Sequence, residues 1–406
     1  MAHVFGNFTS MKFRKFRADY LFDGFNMHDD GMVLVTTEQG VVEGLLPLDE
    51  AGDEVQRFEG ILTPGLVNCH CHLELSHLKD RIATGTGLVD FLLAVVSNRQ
   101  AATEEILESI ARAEAEMLDN GIVAVGDICN GTSTLEQKKK GRLHYHNFIE
   151  AVGVGENMAQ ERMEASQLVF KAFAPNYESP VESISIVPHA PYSVSNTLLG
   201  LIADLPGNHL LTIHNQESEA ENELFVSGTG DILKLYKALG IEIPLQFITG
   251  KRSLERYLPL FHANQSLILV HNVASNEDDL RFVTSSPESG VRLFFCLCPN
   301  ANLYITGMLP PVDLLMRYQQ TLVIGTDSLA SNRQLDVLAE LKTIHQHFPA
   351  IETKELLGWA TINGARALQL DKQLGSFEKS KSPGVVLIEQ GREEKLTGAA
   401  RSRRIL

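Results

Sequence analysis

The sequence predicts an α/β fold: a (β/α)₈ barrel of the TIM type, with a small β-sandwich domain formed from both chain ends. Eight short apolar and β-branched segments run through the middle of the chain, and helical patterns separate most of them. The two ends instead contain short strands with turns. A doubly wound open sheet is the alternative, but such sheets usually have fewer strands per unit, and no phosphate-binding glycine fingerprint follows the first strand.

The eight predicted barrel strands share apolar and β-branched content. They are Leu66–His70, Ile122–Asp127, His144–Glu150, Ser183–Pro188, His209–His214, Leu267–His271, Val291–Cys296 and Thr321–Thr326. The clearest helix is Thr103–Asn120, because Thr103 can cap its first turn and Gly121 can stop it. The other predicted helices lie near Glu156–Phe173, Ser195–Asp204, Glu217–Leu239, Glu277–Phe282, Gln334–His347 and Thr353–Leu370.

Shorter strand patterns occupy the two ends of the chain. They are Ala18–Phe22, Met32–Thr37 and Val41–Leu45 before the barrel, and Gly375–Phe377 and Val385–Ile388 after it. We therefore expect three parts. Residues 1–62 form the N-terminal part of the β-sandwich, residues 63–370 form the barrel, and residues 371–406 form the C-terminal part of the sandwich.

Composition limits the classes of function. The chain has 406 residues, and its 44% hydrophobic and 21% charged residues are ordinary globular values. With 35 Lys and Arg against 51 Asp and Glu, the formal net charge is −16, which argues against nucleic-acid and anionic-membrane partners. Apolar runs such as Phe91–Val96 are too short to span a bilayer, and five cysteines do not suggest a disulfide-built secreted fold. We expect a soluble, cytoplasmic protein that acts on a small molecule. Homo-oligomer formation stays open.

Two basic segments have simple interpretations. The run Lys138–Lys140 is expected to be a solvated loop, and Arg401, Arg403 and Arg404 are expected to belong to a frayed tail.

Polar side chains end several predicted strands, where the active sites of barrels lie. They are His70 and His72, His189, His214, His271 and Asp327. His70 and His72 are two residues apart in an extended segment, so both imidazoles can reach one ion. His214 and Asp327 could complete the sphere and leave a position open for water. This N₃O set predicts one divalent metal ion, zinc, with iron as the alternative.

The remaining rim residues suggest hydrolytic chemistry, because a catalytic metal supplies hydroxide near neutral pH. Asp327 can bind the metal and accept the proton of the water. Glu217 lies three residues after His214 and is well placed to protonate a ring nitrogen or a leaving group. His271 could polarise the attacking water or the tetrahedral intermediate. His189 is expected to hydrogen-bond the substrate.

Three further side chains are expected to contact the substrate. Glu74, two residues after His72, could accept hydrogen bonds from a ribose diol, and a loop carboxylate without substrate contact is the alternative. Glu150 lies at the end of the third predicted strand. Asn302, together with Tyr304, is expected to line the pocket after the seventh strand.

Six stretches resemble the amidohydrolase superfamily in order and over nearly the whole chain. They are TPGLVNCHCHLE (63–74), VPHAPYSVS (187–195), LTIHNQESEAE (211–221), ILVHN (268–272), GTDSLASN (325–332) and ATINGARALQLDKQLGSFEKSK (360–381). The likeness is greatest to the deaminase branch, which includes adenosylhomocysteine, aminodeoxyfutalosine, guanine and cytosine deaminases and triazine chlorohydrolases. The resemblance implies hydrolytic deamination of an aromatic N-heterocycle, with an adenine nucleoside-like compound such as aminodeoxyfutalosine or adenosylhomocysteine as the candidate substrate.

The resemblance also assigns roles to single residues. The metal ligands match His70, His72, His214 and Asp327, the proton-transfer pair matches Glu217 and His271, and the substrate-contacting histidine matches His189. No carboxylated lysine is evident after the fourth strand, which favours a mononuclear site.

One departure from the family pattern bears on the substrate. Cys296-Leu297-Cys298 stands where many relatives have a His-Asn-Pro stretch. This departure bears on the precise substrate and not on the chemistry. Two other functions stay open on separate grounds. One is hydrolysis of a different C–N or C–Cl bond, as in cyclic amidases and chlorohydrolases, and the other is a non-catalytic metal-binding protein.

Overall fold

The computed structural model describes residues 12–178, 183–285 and 290–406. Eight parallel strands form its centre. They are β8 (Leu66–Cys71), β9 (Ile122–Cys129), β10 (His144–Ala151), β11 (Ile184–Pro188), β12 (Leu210–Asn215), β13 (Ser266–His271), β14 (Arg292–Leu297) and β15 (Leu322–Ile324). All eight predicted barrel strands are present, with ends shifted by at most two residues. The shifts of two residues are at the C-terminal ends of β9 and β15.

The eight strands close on themselves. They form two parallel four-stranded sheets, in the orders β11-β10-β9-β8 and β12-β13-β14-β15. The backbone N–H of His214 donates to the carbonyl of His189 across one junction (2.9 Å), and that of Thr326 donates to the carbonyl of His70 across the other (3.1 Å). The predicted barrel is therefore confirmed, and its strand ends gather the rim residues on one face.

Helices connect the strands on the outside of the barrel. In chain order the α-helices are α1 (Leu88–Asn98), α2 (Thr103–Asp119), α3 (Leu135–Lys138), α4 (Ala159–Phe173), α5 (Asn196–Ala203), α6 (Glu219–Ser227), α7 (Ile232–Leu239), α8 (Ser253–Tyr257), α9 (Glu277–Ser285), α10 (Pro299–Ile305), α11 (Val312–Arg317), α12 (Val337–His347), α13 (Thr353–Gly358) and α14 (Gly364–Ala367). Short 3₁₀-helices span Leu73–Leu78, Glu156–Met158, Ala174–Asn176, Pro191–Ser193, Leu245–Phe247 and Leu258–Leu260, and a π-helix spans Trp359–Asn363.

The predicted helix Glu217–Leu239 is wrong as one element, because the structure divides it into α6 and α7. Gly228 ends α6 in the left-handed conformation (φ 70°), and Gly230 also has a positive φ (92°). Glycine adopts such angles without a Cβ clash, so the chain turns here rather than continuing the helix.

The two ends of the chain build two further sheets. Their strands are β1 (Phe13–Arg17), β2 (Tyr20–Phe22), β3 (Met27–His28), β4 (Met32–Thr37), β5 (Val42–Pro47), β6 (Val55–Arg57), β7 (Ile61–Pro64), β16 (Val385–Glu389) and β17 (Arg401–Arg404). One sheet has the order β5-β4-β1-β6, and the other has the order β17-β16-β7-β2-β3. Phe16 and Leu34 of the first sheet share a buried cluster with Leu62 and Leu387 of the second. The strands of both chain ends thus pack face to face.

The predicted bounds 1–62, 63–370 and 371–406 stay predictions, and residues 1–11 lie outside the described residues. In the structure β7 pairs with β16 and leads through Gly65 directly into β8.

Three predictions about the periphery are wrong. Gly375–Phe377 is not a strand. Arg401, Arg403 and Arg404 belong to β17, which pairs antiparallel with β16 at the edge of its sheet, a position where charged side chains are common. In the run Lys138–Lys140, Lys139 and Lys140 are exposed as expected, but Lys138 is buried, with its ammonium group 2.5 Å from an Asp127 carboxylate oxygen. Across the described ranges, none of the helices combines the length and the apolar character needed to cross a bilayer.

Candidate active site

Three histidine side chains and one aspartate converge where the barrel strands end. His70, His72 and His214 each place a ring nitrogen within 4.8 Å of the others. The Nε2 atoms of His72 and His214 are 3.2 Å apart. Asp327 Oδ1 lies 3.6 Å from His70 Nε2 and 3.5 Å from His72 Nε2. The structure thus brings the four predicted ligands together.

The cluster fits a divalent metal ion. A tetrahedral zinc site with Zn–N bonds of about 2.0–2.1 Å separates neighbouring donor atoms by roughly 3.3 Å, close to the separations found here. Both ring nitrogens of His70 are buried and have no hydrogen-bond partner in the described part of the chain. A buried imidazole without partners is costly, and a bound cation would satisfy its inward-facing nitrogen.

Hydrogen bonds orient two of these four side chains. His214 Nδ1 lies 2.7 Å from the carbonyl oxygen of His189, which accepts its proton and leaves the Nε2 lone pair free. Ser331 Oγ donates to Asp327 Oδ2 (2.5 Å), so that Oδ1 faces the histidines. Asp327 has a positive φ of 55°, a conformation that non-glycine residues adopt at some cost.

The protonation states also suit a cation. Burial lowers the pKa of His70 and of His72 well below the ordinary value, and it lowers the pKa of His214 as well. Burial would raise the pKa of Asp327, but the neighbouring His72 and His271 and the Ser331 hydrogen bond outweigh it and lower that pKa. Neutral imidazoles and an ionised carboxylate are the metal-binding forms.

Gly325 lets strand β15 approach this cluster closely. A Cβ at this position would lie 2.8 Å from His70 Cβ and 2.9 Å from the sulfur atoms of both Cys296 and Cys298. Any side chain would therefore displace His70. The two cysteines that depart from the family pattern are buried and pack here against the backbone of β15 rather than facing the cavity.

Glu217 and His271 form a second pair beside the four predicted ligands. Glu217 Oε1 lies 3.6 Å from His271 Nε2, and both side chains are almost completely buried. Burial, followed by the charges of Asp327 and Glu221, raises the pKa of Glu217 well above its ordinary value. Burial lowers the pKa of His271 well below its ordinary value. Burial therefore disfavours the charged form of both groups: the carboxyl group of Glu217 holds its proton to a higher pH than usual, and the imidazole of His271 is neutral at neutral pH.

A cavity of about 330 Å³ opens above these residues. Its lining includes the predicted residues His72, His189, His214, Glu217, His271, Asp327 and Glu150. One wall is apolar and comes from Phe91, Leu92, Val95 and Val96 of α1 and from Leu235 and Leu239 of α7. A larger groove of about 770 Å³ lies between α10 and α12, but none of the predicted metal ligands or catalytic residues lines it. We therefore assign the smaller cavity as the candidate site, because the titratable residues converge there.

His189 and Glu150 face this cavity. His189 Nδ1 lies 2.7 Å from Ser193 Oγ, and burial, followed by the charge of Arg99, lowers the pKa of His189 to about 4. Glu150 Oε2 accepts a hydrogen bond from Asn130 Nδ2 (2.8 Å), whereas Oε1 is buried without a hydrogen-bond partner in the described part of the chain.

Two predicted substrate contacts lie outside the cavity lining. Arg99 Nη2 donates to Glu74 Oε1 (2.6 Å), and the backbone N–H of Asn130 donates to Oε2 (3.1 Å), so the Glu74 carboxylate is already occupied. Asn302 is buried and lies with Nδ2 3.0 Å from His271 Nδ1. Tyr304 lines the larger groove instead. Both Glu74 and Asn302 thus contact other residues of the site rather than the cavity.

Sequence reasoning missed several side chains of the site. Arg99 and Asn130 line the cavity and hold Glu74 and Glu150, and Ser193 and Ser331 orient His189 and Asp327. Each serine lies four residues after the residue that it orients: Ser193 after His189, and Ser331 after Asp327. This spacing is the one signal in the sequence that could have indicated them. The apolar wall lies on α1 and α7, and the only part of it noted from the sequence is the apolar run Phe91–Val96.

The chain matches the model of the amidohydrolase family over residues 61–406. It is 26% identical to a 5-methylthioadenosine/S-adenosylhomocysteine deaminase of Teredinibacter turnerae over 340 residues, which cover 81% of this chain and 72% of the relative. It is 27% identical to an adenosine deaminase of Helicobacter pylori over 335 residues, which cover 81% of this chain and 79% of that relative.

Solved structures show the same fold. A Helicobacter pylori aminofutalosine deaminase in complex with methylthio-coformycin superposes with a TM-score of 0.78 at 22% identity, covering 97% of this chain and all of that one (100%). An adenosine deaminase from Xanthomonas campestris with bound zinc superposes with a TM-score of 0.70 at 22% identity, covering 92% of this chain and 84% of that one.

The chain therefore belongs to the amidohydrolase family. The match confirms the predicted family, and with the deaminase relatives it confirms the predicted class of enzyme, a hydrolase acting on carbon–nitrogen bonds.

Proposed function

We propose that this protein is a zinc-dependent aminohydrolase that deaminates an adenine nucleoside-like substrate. The observation that carries the proposal is the position of Glu217 beside His271, at the edge of the cluster of three histidines and one aspartate. The relatives named above are deaminases of methylthioadenosine, adenosylhomocysteine and adenosine, which supports this reaction for the chain.

His70, His72, His214 and Asp327 would hold the metal, and the donor set of three imidazoles and one carboxylate suits zinc, with iron as the alternative. When bound, such an ion acidifies a water molecule, so that hydroxide is available near neutral pH. The zinc in the Xanthomonas campestris structure supports the choice of zinc.

Glu217 acts as the general acid. Its raised pKa favours the protonated carboxyl group, and that proton goes to the ring nitrogen next to the carbon under attack. The C–N bond to the amino group then breaks and ammonia leaves. The hydroxyl proton on the same carbon passes to Glu217 as that carbon becomes a carbonyl. Asp327, ionised because its pKa is lowered, accepts the proton of the attacking water and can return it to the leaving amine.

The two remaining polar residues would fix the substrate in place. His189 is neutral at pH 7 and faces the cavity, where it can hydrogen-bond the heterocycle or its sugar. The unpartnered Oε1 of Glu150 can accept a hydrogen bond from a sugar hydroxyl group. We no longer assign this role to Glu74, because Arg99 and Asn130 occupy both of its carboxylate oxygens.

The apolar wall of the cavity indicates which substituent the sugar of the substrate carries. Leu92 and Val95 of α1 and Leu235 and Leu239 of α7 offer no hydrogen-bonding group to a charged tail. The lining cation, Arg99, is already paired with Glu74. A small apolar substituent such as a methylthio or deoxy group therefore fits this wall better than an amino-acid tail. The cytoplasmic location and any homo-oligomer stay predictions.

The experiment is an ammonia-release assay with zinc-loaded protein. The substrates are adenosine, 5′-deoxyadenosine, methylthioadenosine, adenosylhomocysteine, aminodeoxyfutalosine, guanine and cytosine. Removal of the metal with a chelator should abolish ammonia release, and added zinc should restore it.

The Glu217→Gln variant tests the assignment of the acid. It should bind zinc normally and lose about 10²–10⁴-fold in kcat, because it has no proton to donate. Glu219→Gln is the matched control, since the Glu219 side chain is 59% exposed and lies outside the cavity lining. Near-normal turnover by Glu217→Gln would remove Glu217 from the mechanism. No ammonia from any substrate, with zinc bound, would contradict the proposed reaction.

A further inference from the structure

The imidazole of His271 has a partner on each side. Nε2 faces the cavity and lies 3.6 Å from Glu217 Oε1. Nδ1 points away from the cavity and lies 3.0 Å from Nδ2 of Asn302, on helix α10. Both side chains are buried, each with a relative exposure of 1%, so water does not compete for this contact.

The chemistry of the amide decides where the proton of His271 lies. The amide nitrogen of Asn302 faces Nδ1, and Oδ1 of Asn302 is buried without a hydrogen-bond partner in the described part of the chain. An amide nitrogen only donates hydrogen bonds, so with the amide in this orientation Nδ1 accepts and carries no proton. A neutral imidazole has one N–H group, and it must then be on Nε2. Held in this form, His271 presents a hydrogen-bond donor to the cavity and has no lone pair there with which to remove a proton from water.

We propose that Asn302 is a positioning residue that fixes His271 in the Nε2–H tautomer. His271 then stabilises the negative charge that develops on oxygen as the substrate is attacked, and proton acceptance is left to Asp327. This inference rests on the proposed function. It replaces the predicted role of Asn302 as a substrate contact, because Asn302 lies behind His271 and does not line the cavity.

The backbone around both residues supports a positioning role. His271 has a positive φ of 76°, so its side chain leaves the end of β13 in a direction that a regular strand would not allow. Asn302 lies on the first turns of α10, where its N–H donates to Cys298 O (3.0 Å) and its carbonyl accepts from Thr306 N (2.9 Å). The helix therefore holds Asn302 rigidly against the imidazole.

Two substitutions separate positioning from the other roles of Asn302. Asn302→Leu keeps the size but removes the donor, so the tautomer is no longer fixed. Asn302→Asp keeps both the size and a hydrogen bond, but an ionised carboxylate accepts from Nδ1–H and selects the opposite tautomer. We expect each variant to lower kcat by about 10–100-fold with KM unchanged, because the lost interaction is made in the transition state.

The tautomer itself is measured independently of activity. In zinc-loaded protein labelled with ¹⁵N-histidine, the His271 signals, assigned by comparison with His271→Gln, should show a protonated Nε2 and an unprotonated Nδ1. Asn302→Asp should reverse this pattern. Because the wild-type spectrum needs neither turnover nor a variant, it still tests the inference if Asn302→Leu does not fold or if the proposed reaction is wrong.

Three results would overturn the inference. A protonated Nδ1 in the wild-type spectrum would contradict the tautomer directly. A raised KM with unchanged kcat would make Asn302 a substrate contact. Wild-type activity in Asn302→Asp would mean that the site needs only the volume of the side chain and not its donor.

Discussion

Replacing Lys138 by methionine tests the buried ion pair that joins helix α3 to strand β9. The Lys138 Nζ atom lies 2.5 Å from Asp127 Oδ2, and the two side chains have relative exposures of 1% and 0%. The ammonium group also contacts Asn147 Oδ1 (2.8 Å) and Cys129 Sγ (3.2 Å). Burial by itself would lower the pKa of Lys138, but the charge of Asp127 outweighs it and raises that pKa. The lysine is therefore charged at every pH at which the protein is studied.

Lys138→Met should lower the stability of the protein because it leaves the Asp127 carboxylate buried without its cationic partner. Methionine keeps most of the aliphatic volume, but the Asp127 carboxylate stays buried with Leu73 N (2.8 Å) as its remaining strong donor. Removing one partner of a buried pair costs about 3–5 kcal/mol. Unfolding free energies are typically about 5–15 kcal/mol, so a large share of the stability would be lost. Urea unfolding, followed by circular dichroism, measures the difference.

Lys139→Met is the matched control. Lys139 is the next residue and pairs with Glu136 (2.6 Å), but its side chain is 40% exposed, so the substitution should cost less than about 1 kcal/mol. Adding Asp127→Asn to Lys138→Met should recover part of the lost stability, because no buried charge then lacks a partner. If Lys138→Met and Lys139→Met are equally stable, the argument from the buried charge is wrong.

Two further predictions concern pH and substrate choice. Burial raises the pKa of Glu340 from 4.5 to about 8, against the hydrogen bonds from Asn300 and Asn332, so the folded chain holds a proton there that the unfolded chain releases. Between these pH values the unfolding free energy should fall by up to about 1.4 kcal/mol per pH unit. Urea unfolding measured across this pH range should show a shallower decline of the unfolding free energy for Glu340→Gln than for the unsubstituted protein. Parallel declines in the two proteins would contradict the raised pKa of Glu340. Leu239 lies on the apolar wall and is 44% exposed, so a charged side chain at this position should not unfold the protein. The ammonium group of Leu239→Lys would attract the carboxylate of an amino-acid tail, so kcat/KM for adenosylhomocysteine should rise relative to kcat/KM for methylthioadenosine. If the ratio of the two kcat/KM values is unchanged, the substituent on the sugar does not lie against this wall.

The sequence predicts the barrel and the centre of the site because both depend on local patterns. Apolar segments alternate with helical ones, and polar residues such as His214 and Asp327 end the strands, where barrel sites lie. Lys138 could not be assigned correctly in this way. It occurs in a run of three lysines that is typical of a solvated loop, and only the folded chain places Asp127 beside it. Asn302 was assigned to the right region but to the wrong neighbour, because the sequence does not tell which way a helical side chain points.

The detailed geometry of the rim depends on contacts that no periodicity displays. Asn272 has a positive φ of 61°, directly after His271, and such angles cost about 1–3 kcal/mol in a non-glycine residue. Its side chain offsets that cost, since Nδ2 donates to Leu269 O (2.9 Å) and Oδ1 accepts from Asn215 Nδ2 (3.0 Å). Asn215 directly follows His214, so one pair of buried amides joins the strand ends that carry His214 and His271. In a sequence these asparagines look like interruptions of apolar strands, yet in the fold they hold the predicted metal ligand and the predicted catalytic histidine at a fixed separation.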